Sequence, residues 1–250
     1  MVHLERHGAI AVIRIERAPA NAIELELATE LARTFGEAEA DPSTRGIVLT
    51  GTGAFFSAGL DLKVVPTYGT ERQRAMVDAI NRMLLSLYGC TLPTVAAVNG
   101  HAVAGGLVTA LACDYRVGVE GSAKIGLTES RVAIPYPVGA MAVVQSELAP
   151  PAARLLVLVG RNTTPTDARE LGVLDEVVPP GHTLARAIEI ANDLAATPRE
   201  AYGRVKRQLR AATLARIEEV VALANDPLFD GWLSTETAAA AAAQLEKPPR

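Results

Sequence analysis

The stretch TVAAVNGHAVAGGLVTALACDYRVGV, Thr94 to Val119, reads as three pieces in succession. TVAAV is a short apolar run of the kind that forms a buried strand. AGGLVTALACD passes from a glycine loop into a hydrophobic helix, and YRVGV returns to strand. A strand, a helical crossover and a second strand imply a parallel pair in an α/β sheet. That unit decides the fold class if its neighbours repeat it.

Toward the N-terminus they do. AIAVIRIER alternates, with Ala11, Ile13 and Ile15 on one face and Arg14 and Glu16 on the other, as expected of a half-buried strand. After APANA, the run IELELATELARTFGEAEA repeats Leu27, Leu31 and Phe35 at helical spacing and stops at Asp41-Pro42. RGIVLTG is another short buried strand. ERQRAMVDAINRMLLSLYGC is another amphipathic helix, through Met76, Ile80, Leu84 and Leu87.

From Val138 onward helices dominate: VGAMAVVQSEL, AARLLVLVG, TDARELG, then a long helical pattern from Thr183 to Asn225 broken near Pro198. VLDEVV is the strand among them. This shift divides the chain into a core, residues 1–194, and a helical C-terminal region, residues 195–250, able to pack on its own core or on a neighbouring subunit. Ile217, Val220, Val221 and Ala224 share one face of that region. The tail TETAAAAAAQLEKPPR is helix-prone up to its prolines.

The 250 residues are 49% hydrophobic and carry a formal charge of −4, which gives nucleic acid or an anionic membrane no basic block to bind. The N-terminal MVHLERHGAIAVIRIER carries charges through its apolar alternation, so it reads as strand and not as a signal peptide. No run approaches the roughly 20 apolar residues of a spanning helix, and a cytoplasmic location is expected. Cys90 and Cys113 lack metal-ligand spacing and are expected as buried free thiols, and the four His form no ligand cluster. No metal is expected.

A second glycine-rich turn, GTGAFFSAGLDLK from Gly51 to Lys63, also follows a buried strand. Neither turn binds nucleotide by its composition: there is no Lys-Ser/Thr ending, and Phe56 stands where a dinucleotide fingerprint has its third glycine. Both turns lead on through small residues that expose backbone N–H groups. Brought together, two such turns make a pocket for an oxyanion. Ser57 lacks a recognisable His partner and reads as a turn residue.

FFSAGLDLK and VAAVNGHAVAGGLVTALACDYR resemble the enoyl-CoA hydratase/isomerase family, the crotonase superfamily. RIERAPANAI and KIGLTESRVAIPYP are similar to two further segments of that family. The resemblance implies a crotonase-like spiral of repeated ββα units with a helical C-terminal part that forms homotrimers or homohexamers. It implies an acyl-CoA thioester substrate, with coenzyme A as part of that substrate and no separate cofactor. By position, the N–H groups of Ala58 and Gly105 are the expected donors to the thioester oxygen. Contacts to the substrate are expected from Ala20, Ala22, Ala58, Gly59, Leu60, Asp61, Gly105 and Tyr136. Asp61 and Lys63 read equally well as charges closing a turn.

Hydratases of the family use two glutamates, the first three residues beyond the donor glycine. In this chain that position is Val108, whose methyl groups carry no proton. The second falls on Glu129, with Ile134, Pro135, Tyr136 and Pro137 expected as an apolar wall that raises its proton affinity. A single base beside an oxyanion pocket suits a double-bond shift in an enoyl-CoA. Hydration, thioester hydrolysis and acyl-CoA binding without catalysis stay open. Glu120 is the nearest candidate in the chain to replace the acid missing at Val108, Asp114 and Arg116 are expected to pair with each other, and His101 to be a packed histidine.

Overall fold

The computed structural model describes residues 1–234 together with Thr237, Ala239 and Ala243. The tail TETAAAAAAQLEKPPR lies largely outside the described residues. No helix among the described residues is long and apolar enough to cross a membrane.

The N-terminal segment is a hairpin, β1 (Val2–His7) and β2 (Ile10–Ile15), where the sequence suggested one strand. The break falls at Gly8, whose φ of 62° suits the tight turn. Next come α1 (Leu25–Ala40), β3 (Gly46–Gly51), a short β4 (Phe55–Ser57) and α2 (Thr70–Tyr88). The opening stretch supplies β5 (Thr94–Val98), β6 (His101–Val103), α3 (Gly105–Leu111) and β7 (Tyr115–Val119). A two-residue β8 (Ile125–Gly126) leads to a 3-10 turn at Glu129–Val132 and to α4 (Val138–Glu147). Then follow α5 (Pro150–Ala153), α6 (Pro165–Glu170), β9 (Glu176–Val178), α7 (Thr183–Ala195) and α8 (Arg199–Leu223).

The strands form two sheets. The larger runs β1-β2-β3-β5-β7-β9 and is parallel after its first pair. The smaller, β4-β6-β8, is parallel throughout. Chain order explains the pair of sheets: β3, β5 and β7 of the larger sheet are followed by β4, β6 and β8 of the smaller. The three turns that leave the smaller sheet therefore emerge side by side, and they are the turns that carry the site.

Both faces of the larger sheet are buried. Ala11, Ile13, Ile15, Ile47 and Leu49 enter the main core with α1 and α2. Ile10, Val12, Val48, Val95 and Val117 face Ala187 and Ala191 of α7. β2 is thus not the half-buried strand its alternation suggested, because α7 covers the second face. Ile217 of α8 lies in the chain's own core, with Val221 packed partly against it, as α8 runs along α2 and α4. The large apolar side chains that α8 exposes are Val205, Leu209 and Leu223.

A buried ionic network ties α8 to the sheet. Asp114 accepts from Lys206 at 2.9 Å and pairs with Arg210 at 3.0 Å, while Arg116 pairs with Asp175 and Glu147. Asp114 and Arg116 are therefore not partners of one another, contrary to expectation: Asp114 precedes β7 and is taken by Lys206 and Arg210 of α8, while Arg116, inside the strand, is taken by Asp175 and Glu147. Lys206 and Arg210 are both nearly excluded from solvent. Removing the shared anion leaves Lys206 buried without a carboxylate and Arg210 with Glu147 alone, at 3.8 Å, so Asp114→Ala should lose about 3–5 kcal/mol in urea denaturation; a loss under about 1 kcal/mol, the value of a surface pair, would contradict this assignment.

Candidate active site

The site begins with two turns that touch. β4 ends at Ser57 and β6 at Val103, and the chain after each folds against the other. Glycine makes this possible. A Cβ on Gly106 would lie 2.2 Å from the Ser57 carbonyl oxygen, and one on Gly59, which has φ of 77°, would lie 2.7 Å from the Gly105 nitrogen. Between them Ala104 adopts φ 52°, ψ −131°, a region costly for a residue with a Cβ, and it introduces α3. The strain turns the chain so that α3 starts abruptly beside the Gly59 turn.

The hydrogen bonds of these turns identify the free amides. Ala58 donates its N–H to the Ala20 carbonyl at 3.0 Å, so it has no proton left for a ligand. This overturns Ala58 as an oxyanion donor. Ile23 binds the carbonyl of Gly59 and accepts from the N–H of Asp61, bypassing Leu60 between them. Among the described residues nothing accepts from the N–H of Leu60 or of Gly105. The Leu60 nitrogen lies 4.0 Å from where a Cβ on Gly105 would stand. The two unpaired amides are thus neighbours, one from each turn.

Both residues line a cavity of about 270 Å³ that also takes in Val108, Glu129, Ile134 and Tyr136. Its inner wall is apolar: Ile80, Met83 and Leu84 from α2, Ala140 from α4, and Trp232. Pro135 and Pro137 complete the expected wall beside Glu129. Glu129 opens the 3-10 turn beyond β8 and is only 6% exposed. Burial pushes its carboxyl up to about 7, opposed by a hydrogen bond from the Tyr136 hydroxyl to Oε2 at 2.6 Å. That bond was not foreseen.

The remaining candidates take structural places. Ala20, Ala22, Gly59 and Asp61 do not line the cavity. The Ala20 carbonyl receives Ala58, the Ala22 carbonyl receives Arg17, and Asp61 pairs with Arg17 at 2.7 Å and caps the Lys63 N–H. Ser57 is fully buried and donates to the Asn21 carbonyl. Glu120 is exposed at the end of β7, outside the cavity lining. His101 rests on Phe55 and accepts from the Lys124 N–H through Nδ1, with burial and Lys124 holding its imidazole below the ordinary range.

Sequence reasoning passed over Asn21. Its Nδ2 donates to the carbonyls of Thr52 and Phe55 and its Oδ1 accepts from Arg17, fastening the APANA segment to the turn before β4. The signal was present: an Asn between two alanines, here at φ 52°, is a residue suited to the left-handed region.

Known proteins share the sequence and the fold of this chain. The family model for enoyl-CoA hydratase/isomerase matches residues 5–247. Human mitochondrial enoyl-CoA delta isomerase 1 is 31% identical over 219 residues, spanning 87% of this chain and 72% of that protein. The enoyl-CoA hydratase EchA19 of Mycobacterium tuberculosis is 33% identical over 220 residues, spanning 83% and 79%. The crystal structure of human mitochondrial delta3-delta2-enoyl-CoA isomerase superposes with a TM-score of 0.91 at 28% identity, covering 98% of this chain and 96% of that one. The chain belongs to the enoyl-CoA hydratase/isomerase family, has its crotonase fold and is an enzyme of that family.

The raised carboxyl has a thermodynamic consequence. In the folded state Glu129 holds its proton up to about 7, against 4.5 for an ordinary glutamate. The native state therefore binds more protons between those values, and stability falls as pH rises through that window. Glu129→Gln removes the penalty and should raise stability near pH 8 by on the order of 2 kcal/mol, with no gain near pH 4. Thermal melts of both proteins at the two pH values check this; equal melting differences at both would show that Glu129 carries no burial penalty.

Proposed function

We propose that this enzyme moves the double bond of a 3-enoyl-CoA into conjugation with the thioester. The observation that carries the reading is that Glu129 is the one carboxylate lining the cavity among the described residues, set in the same cavity as the two unpaired amides. The N–H groups of Leu60 and Gly105 receive the thioester oxygen. Charge that builds there as the α-proton leaves is met by donors already in place. The proton passes from C2 to a Glu129 oxygen, and the electron pair spreads over the dienolate from the thioester oxygen to C4. The same carboxyl then returns the proton to C4, leaving the double bond between C2 and C3. No atom is gained or lost.

Val108 supports this choice over hydration. Hydratases resembling this chain place a glutamate there, and here an aliphatic side chain only 2% exposed fills the position. Addition of water needs one group to activate it and another to deliver a proton to carbon. Assembly as a homotrimer or homohexamer belongs to the same proposal, supported by the exposed Val205 and Leu209 on α8; a monomer mass in light scattering would remove that part of it.

Incubation with a short 3-enoyl-CoA should give the 2-enoyl isomer at unchanged mass. Incubation with the 2-enoyl-CoA should give no product heavier by one water. Mass gain on the second substrate, or release of free coenzyme A from either, would replace isomerisation with hydration or hydrolysis. Because the base must be ionised, kcat/KM should fall about tenfold per pH unit below about 7. Glu129→Gln should lose at least about 10² in kcat while still binding the thioester, the loss typical of a removed acid-base group.

A further inference from the structure

The bond between Tyr136 and Glu129 has consequences beyond the wall that Tyr136 helps to build. Tyr136 lies between Pro135 and Pro137, which fix the backbone on either side of it. That segment is fastened at both ends. The Pro135 carbonyl accepts from Trp232 Nε1 at 2.9 Å. Beyond Pro137, the Val138 N–H donates to buried Asp226 and the Gly139 N–H to buried Asn81, which itself donates to Asp226. A hydroxyl mounted on a segment held this way has little freedom, and it is directed at one carboxylate oxygen, Oε2. Among the described residues no side chain donates to Oε1.

We propose that Tyr136 is the positioning residue for the proton shift, holding Oε2 so that the Oε1 atom of Glu129 alone accepts the proton from C2 and returns it to C4. This rests on the isomerase reading of the site. Tyr136 itself is no acid here: burial, and then the Glu129 carboxylate, drive its hydroxyl well above the ordinary phenol range. Its proton stays in place while it donates to Oε2, and Oε1 makes and breaks the bond to the migrating proton.

Few other groups compete for Glu129. From α2, α3 and α4 the cavity receives Ile80, Met83, Leu84, Val108, Thr109 and Ala140, none of them charged. Lys124 also lines the cavity, and Arg131 on the same turn is directed to the Val159 carbonyl. The shift of Glu129 contains no contribution from a neighbouring charge; burial raises it, and the Tyr136 hydroxyl and then the residue's own backbone N–H oppose that rise. The donor to Oε2 stabilises the anion, and its removal raises the affinity of Glu129 for a proton.

Two variants separate positioning from packing. Tyr136→Phe keeps the ring and removes the donor, and 3-fluorotyrosine incorporated at 136 keeps the fold and strengthens the donor. Titration of the Glu129 carboxyl by carbon-13 NMR in the free protein, assigned through Glu129→Gln, should move up by about one pH unit in the Phe variant and down in the fluorinated one. The acidic limb of kcat/KM should follow in both directions. On the alkaline plateau Tyr136→Phe should lose roughly tenfold in kcat with KM within about twofold, as misorientation without lost binding requires. Titrations that stay fixed in both variants, or shift the same way in both, would overturn the proposal, since a packing role gives no opposite response. Failure of the wild-type protein to isomerise a 3-enoyl-CoA would overturn the proton route. The NMR titration would still decide whether Tyr136 sets the carboxyl.

Discussion

Two polypeptide turns approach here with no side chain between them, and the site depends on that contact. The limits are steric and narrow: 2.2 Å from a Cβ on Gly106 to the Ser57 oxygen, 2.7 Å from one on Gly59 to the Gly105 nitrogen. Any other residue at either position separates the turns and, with them, the amides of Leu60 and Gly105. The fold supplies the proximity. β4 and β6 are paired in parallel, so their C-terminal ends emerge together, and the Asn99 side chain bridges the Gly51 N–H and the Gly53 carbonyl ahead of β4. A backbone oxyanion site is thus a consequence of strand pairing plus missing Cβ atoms. Its cost is local, in the strained Ala104.

The carboxylate follows the opposite logic. Where the amides are placed by removing side chains, Glu129 is tuned by surrounding it with them. Ile134, Val132 and Tyr136 withdraw water from a group that prefers it, and the protein gives up stability above the acid range to keep a base with an affinity near neutrality. The third strand of the small sheet decides where this happens. β8 pairs with β6, so the turn it leads into lies beside the turn that carries Gly105. Amides and base come from three consecutive strand ends of one small sheet.

Long elements were legible in the sequence because their periodicity repeats often enough to be read. Leu27, Leu31 and Phe35 define α1, and the apolar runs define β3, β5 and β7. The small sheet was not legible, since its strands hold two or three residues and show no period. That gap explains the error over Ala58. Choosing the donor in SAGLD depends on which N–H is already engaged, and Ala58 is engaged by Ala20, far away in sequence. Composition identified the turn but could not assign the amide within it. Glu129, Gly105 and Val108, each read from its place relative to a motif, all line the one cavity. Asp114 and Arg116 failed for the same reason as Ala58: their partners are Lys206, Arg210, Asp175 and Glu147, which no local pattern brings near.

Val108 has an effect on the remaining acid as well as on the reaction. A second carboxylate in the cavity would act on Glu129 in two opposing ways. Its charge would raise the proton affinity of Glu129 by repulsion, while its polarity and the water it holds would lower that affinity by relieving desolvation. With valine in place both effects vanish, and among the described residues the cavity lining carries a single carboxyl. The proton affinity then reflects burial offset by the Tyr136 hydroxyl and the residue's own backbone N–H, consistent with the shift of Glu129 having desolvation as its largest cause and no like-charge contribution. A base set this way stays ionised or protonated according to its own proton alone, which suits a reaction in which one carboxyl must both remove a proton and give it back.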